Sequence, residues 1–467
     1  MQSGRTSSGK EVTYLLWLGL LGAPVYAMSS KLPGLLHGAN LIASATDVFT
    51  SFLFQLAPLG ALYLIGIRIS FRHEATKAEG NGALYIIFLF AFLFRLLLIP
   101  TQPVLSSDIY RYIWDGRVQA HGINPYRYAP ADKALEGLRD EAIYPRINRQ
   151  ESPTIYPAGA QALFHALDRV GVRSVIAFKG AVVLFDMGSV LILTMILAHL
   201  GLGRERVLIY AWNPVVIFEL GGNGHLDGFL VFFVLFSLSL MAKERPAASI
   251  TSLALAASLK LYPAIILPAV LKDRKVGGSL LFGAVFLLLY LPYLSVGKRI
   301  AGFLPAYFEN PSESFNLGLK AYLLKLFPSM DQLVVTVLFA AVLVVAAGVV
   351  WMRPKDAISS LKLAYILATL YTVLASASFH PWYALWVIPF LAFFPSPAWL
   401  YFSFALAISY LAYAQPRNLL PEWVRHIEYI PFFVLLAVEY FFHQRPYAGW
   451  FPWRPAVKRN PREVITP

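Results

Sequence analysis

Long apolar segments alternate with short polar connections along most of this 467-residue chain. Most of them approach the length of about 20 residues that an α-helix needs to cross a bilayer. The pattern therefore predicts an all-α polytopic membrane protein with one domain, residues 1–467, about 12 transmembrane helices and one interrupted segment. The segments, in order, are Val12–Ser30, Val48–Ile67, Ala83–Pro100, Ser174–Leu200, Val207–Leu220, Phe229–Met241, Ile250–Val270, Val276–Val296, Leu333–Met352, Ile358–Phe379, Trp382–Phe394, Ala398–Ala414 and Ile430–Phe442.

The segment Ile250–Val270 is interrupted by Lys260, Pro263 and Pro268. Broken backbone at membrane depth is tolerated only inside the protein or beside a water-filled cavity. Because both flanks of the segment are basic, we expect a broken or re-entrant segment that enters and leaves on one side. The alternative, a complete crossing, would reverse every later helix and place the basic C-terminal tail outside.

Basic residues are concentrated in the connections at one side of the predicted bundle. Cytoplasmic loops collect Lys and Arg, so we expect both termini and the tail 443–467 to be cytoplasmic. The first helix ends in PVYA, and we expect a retained anchor rather than a cleaved signal peptide. The basic residues on this side are Arg5, Lys10, Arg68, Arg72, Lys77, Arg204, Arg206, Lys243, Arg245, Lys272, Arg274, Lys275, Arg353, Lys355, Lys458 and Arg459.

The composition supports a membrane protein. Hydrophobic residues make up 58% of the chain and charged residues 14%, whereas soluble domains carry about 25% charged residues. The cytoplasmic loops explain the net charge of +13, so we expect membrane lipids and no nucleic acid as partners. The chain has no cysteine, which excludes disulfides and thiol catalysis.

Two longer polar loops, 101–173 and 297–331, lie on the predicted extracytoplasmic side. Between residues 101 and 170 the first loop has eight Lys/Arg and eight Asp/Glu, so its charges balance. Its aromatic residues argue against disorder, and a loop of this length in a compact domain is usually functional. We expect it to form short helices at the membrane surface.

The first loop contains SSDIYRYIWDGRVQAHGINPYRYAP, residues 106–130, in which Asp108 lies just past the third apolar helix. If the next residues are helical, Tyr112 and Asp115 share a face with Asp108. This cluster suits a substrate with a lipid, a phosphate and a sugar: the carboxylate accepts a proton, Arg111 holds the phosphate and aromatic rings stack on the sugar. The alternative is an interfacial aromatic belt with surface ion pairs. The candidate sugar- or acceptor-binding residues of this loop are Tyr112, Trp114, Asp115, Tyr126 and Tyr156.

The segments SDIYRYIWDGRVQAHGINPYRY and TIYPAGAQALF resemble the first outer loop of GT-C-fold glycosyltransferases, which use polyprenyl-phosphate sugars and include bacterial membrane mannosyltransferases. The shared pattern is an Asp after the first outward helix of the catalytic bundle, then G-x-N-P-Y and a later Tyr-Pro. Three further segments agree in order, and the resemblance extends over residues 95–394. They are WNPVVIFELGGNGHLDGFLVFF, SLKLYPAIILP and FHPWYALWVIPF.

The resemblance implies the GT-C fold, with Asp108 as catalytic base and a polyprenyl-phosphate hexose, expected to be mannose, as donor. The acceptor is then a hydroxyl of a glycan or glycolipid on the extracytoplasmic face, and the reaction inverts the anomeric carbon, with the geometry of inverting glycosidases. No cofactor is expected. Two features depart from the family: two helices, where many relatives have one, precede the helix that leads into the loop, and Asp108 lacks a second acid beside it. The second departure means that a divalent metal at the loop is not indicated.

The HPWY motif supplies a further candidate region at the outer end of a helix. His380 is expected to hydrogen-bond the donor phosphate, and Trp382 and Tyr383 to contact the sugar or acceptor. The alternative for His380 is a capping or belt histidine.

The turn GGNGHLDG between two short apolar segments is also predicted to face outside and to dip toward the bundle centre. Asn223, His225 and Asp227 of this turn are candidates for binding the sugar or acceptor. A metal is weakly indicated, because two ligands lack a third, and an ordinary polar turn is the alternative.

Three cations lie within apolar segments: Arg95, Lys179 and Lys260. Ionisable residues in a membrane are costly and commonly functional, so each is a candidate for binding the donor phosphate. Arg95 or Lys179 could instead extend its charge to the interface. Lys179 could also pair with Asp186, and Lys260 with a carboxylate such as Glu219.

The main alternative function is a transporter or flippase of a lipid-linked or anionic substrate. The charges of Lys179, Asp186 and Lys260 would suit it, but transporters often show internal repeats, and none is evident here. Another lipid-linked-sugar enzyme, such as an aminoarabinose transferase or a glycan ligase, would share the donor chemistry, and the sequence barely separates it from a mannosyltransferase.

Overall fold

The computed structural model describes residues 2–38, 45–75, 80–271, 275–309, 316–352, 356–375, 378–415 and 419–443. Regular structure in these ranges is helical, apart from one antiparallel bridge between Leu317 and Ser378. The predicted all-α class is therefore confirmed. The α-helices are α1 Gln2–Gly38, α2 Ala45–Ala75, α3 Gly82–Leu98, α4 Asp108–Ala120, α5 Ala158–Arg169, α6 Val175–His199, α7 Leu208–Ala211, α8 Pro214–Ile217, α9 Asp227–Ala242, α10 Pro246–Leu259, α11 Leu267–Val270, α12 Lys275–Leu288, α13 Leu304–Glu309, α14 Leu319–Leu326, α15 Gln332–Met352, α16 Ala357–Ala375, α17 Pro397–Ala405 and α18 Glu422–His443.

Shorter 3₁₀ helices and one π-helix, Phe218–Gly222, complete the secondary structure of these ranges. Part of the predicted cytoplasmic side lies outside the described residues, including residues 444–467 of the tail. The 3₁₀ helices are Lys133–Leu138, Tyr144–Arg146, Arg204–Val207, Tyr262–Ile266, Leu291–Ala301, Pro381–Ala384, Ile388–Ala392 and Leu406–Ala414. The predicted cytoplasmic residues outside the described ranges are Lys77, Lys272, Arg274, Arg353, Lys355, Lys458 and Arg459.

Five helices of the described chain are long and apolar enough to cross a membrane, and a bent pair would make a sixth. Four shorter apolar helices accompany them. The protein is therefore a polytopic membrane protein, while the predicted count of about 12 crossings exceeds what these helices support by length and composition alone. The five are Gly9–Ser29, Ser51–Ala75, Val175–His199, Gln332–Met352 and Ala357–Ala375.

The predicted helix Val276–Val296 is not continuous in the structure. The chain bends by 87° between α12, which ends at Leu288, and the following segment Leu291–Ala306. Pro292, near the start of the 3₁₀ helix, cannot donate a backbone hydrogen bond to the preceding turn, which favours such a break.

Two other predicted segments also differ from the structure. Val207–Leu220 is divided into a 3₁₀ turn, α7, α8 and the start of a π-helix, and Trp382–Phe394 forms only short 3₁₀ turns. Both are almost completely buried. Tertiary packing therefore replaces the continuous hydrogen-bond ladder that a lipid-facing helix would need.

The interrupted segment Ile250–Val270 is broken, as predicted, directly after α10. The loop 101–173 is called the first outer loop below, after the side predicted for it. A Cβ on Gly159 of this loop would lie 1.9 Å from Oγ of Ser258, so the end of α10 touches the loop. A Cβ on Gly278 would lie 2.4 Å from Leu271 and 2.9 Å from Ile250. The chain has therefore returned, after the break at Lys260, to the end of the bundle where α10 begins.

A buried polar turn lies at the centre of the bundle. Every residue from 205 to 231 is buried, and α9 leads out of the turn between α6 and α10. Asn213 starts α8, because its side-chain oxygen accepts from the backbone N–H of Val215 at 2.9 Å and Pro214 occupies the first helical position. The π-helix that follows carries Glu219, and π-helices often occur at functional sites.

The outer loop 101–173 forms the predicted short helices, with α4 packed on α5. Gly302, after the bend, joins the second outer loop to it. Gly302 has a φ of 55°, its Cβ would lie 1.9 Å from the Thr154 carbonyl oxygen, and the N–H of Phe303 donates to that oxygen at 2.9 Å. Only glycine fits this position without displacing the contact.

We expect Gly302→Ala to lower the unfolding free energy by about 2–4 kcal/mol, since it combines left-handed backbone strain with a clash. The measurement is the melting temperature of the purified protein in detergent. Gly297 is the matched control, because its φ is 57° and nothing lies within 4 Å of its Cβ position. Gly297→Ala introduces only the backbone strain and should lower the melting temperature less than Gly302→Ala does. An equal decrease in the two variants would contradict a clash at Gly302.

Candidate active site

Asp108 is the first residue of α4 and is half-buried. The side-chain amide of Asn148 donates to its Oδ1 at 2.7 Å. Ser106 Oγ accepts from the backbone N–H of Asp108 at 3.3 Å. The carboxylate is thus held in place by residues of the outer loop and retains access to solvent.

The turn at residues 223–227, called the central turn below, packs directly on the first turn of α4. Gly224 has a φ of 70°, and a Cβ there would lie 2.5 Å from Ile109 Cδ1. Burial raises the pKa of the Tyr112 phenol, on α4, well above its usual value, and Tyr156, Asp108 and Asp227 add to the effect. The structure therefore brings the start of α4, where Asp108 lies, next to the turn at 223–227.

Asp227 and Lys260 form an ion pair beside this turn. Lys260 Nζ lies 2.6 Å from Asp227 Oδ2, and the Tyr262 hydroxyl donates to Oδ1 at 2.8 Å. Lys260 also lies 5.7 Å from the centre of the Tyr383 ring. Its carboxylate partner is therefore Asp227 and not Glu219, and the break after α10 positions the ammonium group.

Glu219 instead binds three groups around the central turn. Its carboxylate accepts from the Asn223 amide at 2.9 Å and from the Tyr410 hydroxyl at 2.6 Å. Nε2 of His225 lies 3.2 Å from Glu219 Oε2. Tyr410 and Tyr413 lie within electrostatic reach of both Glu219 and Asp108, which connects the turn to the carboxylate on α4.

His225, Trp382 and His380 form a stack of three rings. The centroids of His225 and Trp382 are 4.2 Å apart, and those of Trp382 and His380 are 4.3 Å apart. Burial lowers the pKa of His380 well below its usual value, and His225, Lys260 and Arg149 add to the effect. The His380 imidazole is therefore neutral at physiological pH and can donate an N–H without carrying a charge.

Asp108, His225, Asp227, Lys260 and His380 are called the central polar cluster below. The sequence analysis named all five, and the contacts described above connect them. Four half-buried tyrosines, Tyr156, Tyr262, Tyr383 and Tyr413, accompany them. The cluster offers a carboxylate, cationic and neutral N–H donors, and aromatic rings, which are the groups that bind a phosphorylated sugar.

Arg149 is a member of this site that sequence reasoning missed. Its φ of 51° is left-handed, which is uncommon for a non-glycine residue and occurs often at functional sites. Its guanidinium lies 5.7 Å from the centre of the Phe303 ring, and its charge acts on His380. Asn148, Tyr262, Tyr410 and Tyr413 were also missed. Of these, only Tyr262 could have been found from the sequence, because it lies two residues after the conspicuous charge of Lys260.

Several predicted residues of the outer loop lie outside the central polar cluster. Arg111 is buried and donates to Asp115 at 2.8 Å, and Gln161 donates to the other Asp115 oxygen at 2.9 Å. Trp114 is buried against Tyr144, with ring centroids 5.6 Å apart. These contacts support the internal packing of the loop.

Tyr126 also lies apart from the central polar cluster. Its ring packs on Tyr293 at 5.5 Å, and its hydroxyl donates to the carbonyl oxygen of Tyr156 at 2.8 Å. Burial raises the pKa of the Tyr156 phenol, and the charge of nearby Asp108 raises it further.

The remaining predicted phosphate ligands are bound to other protein groups. Arg95 is fully buried and paired with Asp186, and it donates to the carbonyl oxygens of Ala91 at 2.9 Å and Ala211 at 2.8 Å. Lys179 donates to the carbonyl oxygen of Thr101 at 2.6 Å. The partner of Asp186 is thus Arg95, and not Lys179 as the sequence alternative suggested.

A metal site is not evident in the part of the chain that the structure describes. No group of three or more His, Asp or Glu side chains there is arranged to hold a metal ion. His225 and Asp227 have Glu219, Lys260 and Tyr262 as partners instead.

Comparison with known proteins places this site in a family context. A family model described as Alpha-(1->6)-mannopyranosyltransferase, N-terminal domain, matches residues 16–272, which is more than half of the chain. The matched range contains Asp108, the central turn and Lys260, but not His380.

A curated relative, Alpha-(1->6)-mannopyranosyltransferase A of Corynebacterium glutamicum, is 26% identical over 221 residues. The alignment covers 46% of this chain and 44% of the relative. The chain therefore spans less than half of the relative's length. No solved structure matches the chain at a significant level.

Proposed function

The chain belongs to the alpha-(1->6)-mannopyranosyltransferase family, and on this premise we propose that it transfers mannose from a polyprenyl-phosphate donor to a hydroxyl of a glycan or glycolipid. The observation that carries the proposal is the half-buried carboxylate of Asp108, linked through the central turn to Lys260 and His380. A base opposite a set of phosphate-binding groups is what a single displacement at an anomeric carbon requires.

Asp108 is the best candidate for the base among the three carboxylates near the turn. Asp227 is fully buried, and both of its oxygens are bound, by Lys260 and Tyr262. Glu219 is buried and accepts from Asn223 and Tyr410. Asp108 alone of the three is partly exposed, so an acceptor hydroxyl can reach it.

The donor phosphate is proposed to bind at Lys260, His380 and Arg149. Asp227 fixes the position of Lys260, and the neutral imidazole of His380 can donate one N–H. Arg149 can bind two phosphate oxygens at once through its planar guanidinium. Tyr383, near the Lys260 ammonium, offers a ring for the sugar. The other predicted phosphate ligands, Arg111, Lys179 and Arg95, are less suited, because all three are buried among their protein partners. Lys260 is also paired, with Asp227, but 15% of its side chain remains exposed.

In the proposed reaction, the acceptor oxygen forms a bond to C1 of the mannose while the C1–O bond to the phosphate breaks. The electron pair of that bond leaves with the polyprenyl phosphate, and the hydroxyl proton passes to Asp108. A hydroxyl is a far weaker acid than a carboxylic acid, so proton transfer accompanies the attack. The family name specifies an alpha linkage, so an inverting displacement requires a beta-linked donor.

We further propose that the site opens to the extracytoplasmic face of a bacterial inner membrane, within a GT-C bundle of about 12 crossings. The support is the charge distribution. Arg204 and Arg206 follow the end of α6 that lies away from the loop of Asp108, so the basic side and the site are at opposite ends. Both termini are then cytoplasmic.

The transporter alternative is not favoured by the intramembrane charges. Arg95 is paired with Asp186, and Lys179 is bound to carbonyl oxygens at the end of α3. Lys260 is paired with Asp227 near the outer loop. These charged groups are paired within the protein and do not form a row along a substrate pathway across the membrane.

The proposal is tested with the purified protein and polyprenyl-phosphate mannose, glucose, galactose and arabinose as donors. Octyl alpha-mannoside is the acceptor, and its 6-deoxy analogue is the matched control, because the family name indicates transfer to position 6. We expect release of polyprenyl phosphate from the mannose donor alone, together with a disaccharide formed only on the acceptor with a 6-hydroxyl. Equal transfer to the 6-deoxy analogue, or transfer only from another sugar, would overturn the proposal.

A further inference from the structure

A depression of about 300 Å³ lies on the outer surface, between the first outer loop and the segment after the bend. Its lining includes Tyr126 and Arg127 from the first loop and Arg299 and Gly302 from the segment after the bend. Pro153 forms part of the wall, one residue from the Thr154 carbonyl to which Phe303 is bound. We call it the two-arginine depression.

The two arginines differ from most arginines of the first outer loop. Arg127 and Arg299 are both exposed, and neither guanidinium has a hydrogen-bond or ion-pair partner within the described ranges. By contrast, Arg111, Arg117 and Arg173 each have an aspartate partner. Two uncompensated cations from separate parts of the chain lining one depression form a site for an anion.

The bend suggests where this anion resides. The segment Leu291–Ala306 runs nearly perpendicular to the apolar helix α12, so it lies along the membrane surface if α12 crosses it. Leu287, Leu288, Leu291 and Leu294 are each more than half exposed around the bend. Apolar residues that reach the acyl region, followed by basic residues, are typical of a segment at the level of the lipid headgroups. Arg299 follows these leucines, so the depression lies at that level.

Tyr156 links the Tyr126 side of the depression to Asp108 of the central polar cluster. The Tyr126 hydroxyl, on the side of the depression, donates to the carbonyl oxygen of Tyr156 at 2.8 Å. Tyr156 lies within the electrostatic influence of Asp108. A molecule anchored in the depression can therefore extend past Tyr156 toward Asp108.

We propose that the two-arginine depression binds the phosphate of a membrane-resident acceptor lipid, with Arg127 and Arg299 as its ligands. Guanidinium groups bind phosphate oxygens in pairs, and the anionic groups at headgroup level are phosphates. This assignment rests on the proposed function, in that it identifies the acceptor as a phospholipid-based glycolipid. The headgroup sugar of that lipid then presents its hydroxyl to Asp108.

The test measures equilibrium binding of three probes to the full chain in detergent: dioctanoyl phosphatidylglycerol, dioctanoylglycerol, which lacks the phosphate, and inorganic phosphate. We expect binding of dioctanoyl phosphatidylglycerol to weaken at least about tenfold in the double variant Arg127→Ala/Arg299→Ala, through loss of two charge-assisted contacts. The double variant Arg127→Lys/Arg299→Lys should bind this lipid with an affinity between those of wild type and the double-alanine variant. Lysine keeps the charges but lacks the planar guanidinium that binds two phosphate oxygens. Dioctanoylglycerol should bind wild type and double-alanine variant alike.

Lys298→Ala is the matched control, since Lys298 is an exposed neighbour of Arg299 that does not line the depression, and it should bind like wild type. Asp108→Asn should also bind like wild type, because Asp108 is not a phosphate ligand. Wild type that binds the lipid but transfers no mannose would count against the proposed function and not against this site. Unchanged affinity in the double-alanine variant, at an unchanged melting temperature, would overturn the site. If inorganic phosphate at an equal concentration displaces dioctanoyl phosphatidylglycerol, the site binds free phosphate, and its assignment to a lipid is overturned.

Discussion

Replacing Asp108 by Asn is expected to reduce kcat by about a hundred- to ten-thousand-fold, the usual contribution of a general base. Asn has nearly the same shape, and its amide oxygen can still accept the hydrogen bond from Asn148. It cannot take the proton of the acceptor hydroxyl. The donor phosphate binds elsewhere in the proposed site, so the KM for the polyprenyl-phosphate donor should remain nearly unchanged.

The measurement is initial release of polyprenyl phosphate at saturating donor and acceptor. Glu136→Gln is the matched control, because it makes the same chemical change at an exposed position of the same loop, and it should retain wild-type activity. Full activity of Asp108→Asn would remove Asp108 as the base. A comparable loss in Glu136→Gln would instead indicate a loop that tolerates no change of charge.

Asp108 was predictable because it follows the end of an apolar helix and opens a polar loop, and both features are local in the sequence. The same applies to His225 and Asp227, which lie in a glycine-rich turn between apolar segments. Lys260 was conspicuous because a charge within an apolar segment is costly. In each case the physical signal lies within a few residues of the side chain.

The partners of these residues were not predictable, since they depend on contacts between distant parts of the chain. Asn148 reaches Asp108 from 40 residues away, and nothing in its neighbours marks it. Arg111 was assigned to a phosphate because arginines suit phosphates, but its own helix supplies Asp115 one turn later. The spacing of four residues between Arg111 and Asp115 is compatible with a phosphate ligand and with an ion pair inside the helix. Only the packing of the loop distinguishes the two.

The apolar pattern located the helices better than it described their course. Hydropathy identified α6 and α15 closely, because helices exposed to lipid must be long and continuous. It could not reveal the 87° bend after Leu288, since apolar residues continue through it. Buried segments such as the one beginning at Trp382 need not be regular, because neighbouring protein groups satisfy their backbone.

Replacing Arg95 by Met is expected to lower the unfolding free energy by about 3–5 kcal/mol, the usual cost of removing one partner of a buried ion pair. Asp186 would remain fully buried, with the Tyr210 hydroxyl at 2.7 Å as a neutral partner. The carbonyl oxygen of Ala211 would also lose its donor. The measurement is the melting temperature in detergent, together with the yield of monodisperse protein.

The double variant Arg95→Met/Asp186→Leu separates a structural role of Arg95 from phosphate binding. It removes both charges, so most of the lost melting temperature should return, because a well-packed apolar pair replaces a buried ion pair at little or no cost. If Arg95 instead held the donor phosphate, Arg95→Met would keep the wild-type melting temperature and raise the KM for the donor, and the double variant would not restore that KM. Full burial of both side chains favours the first outcome, since a phosphate would have to enter the protein interior to reach the guanidinium.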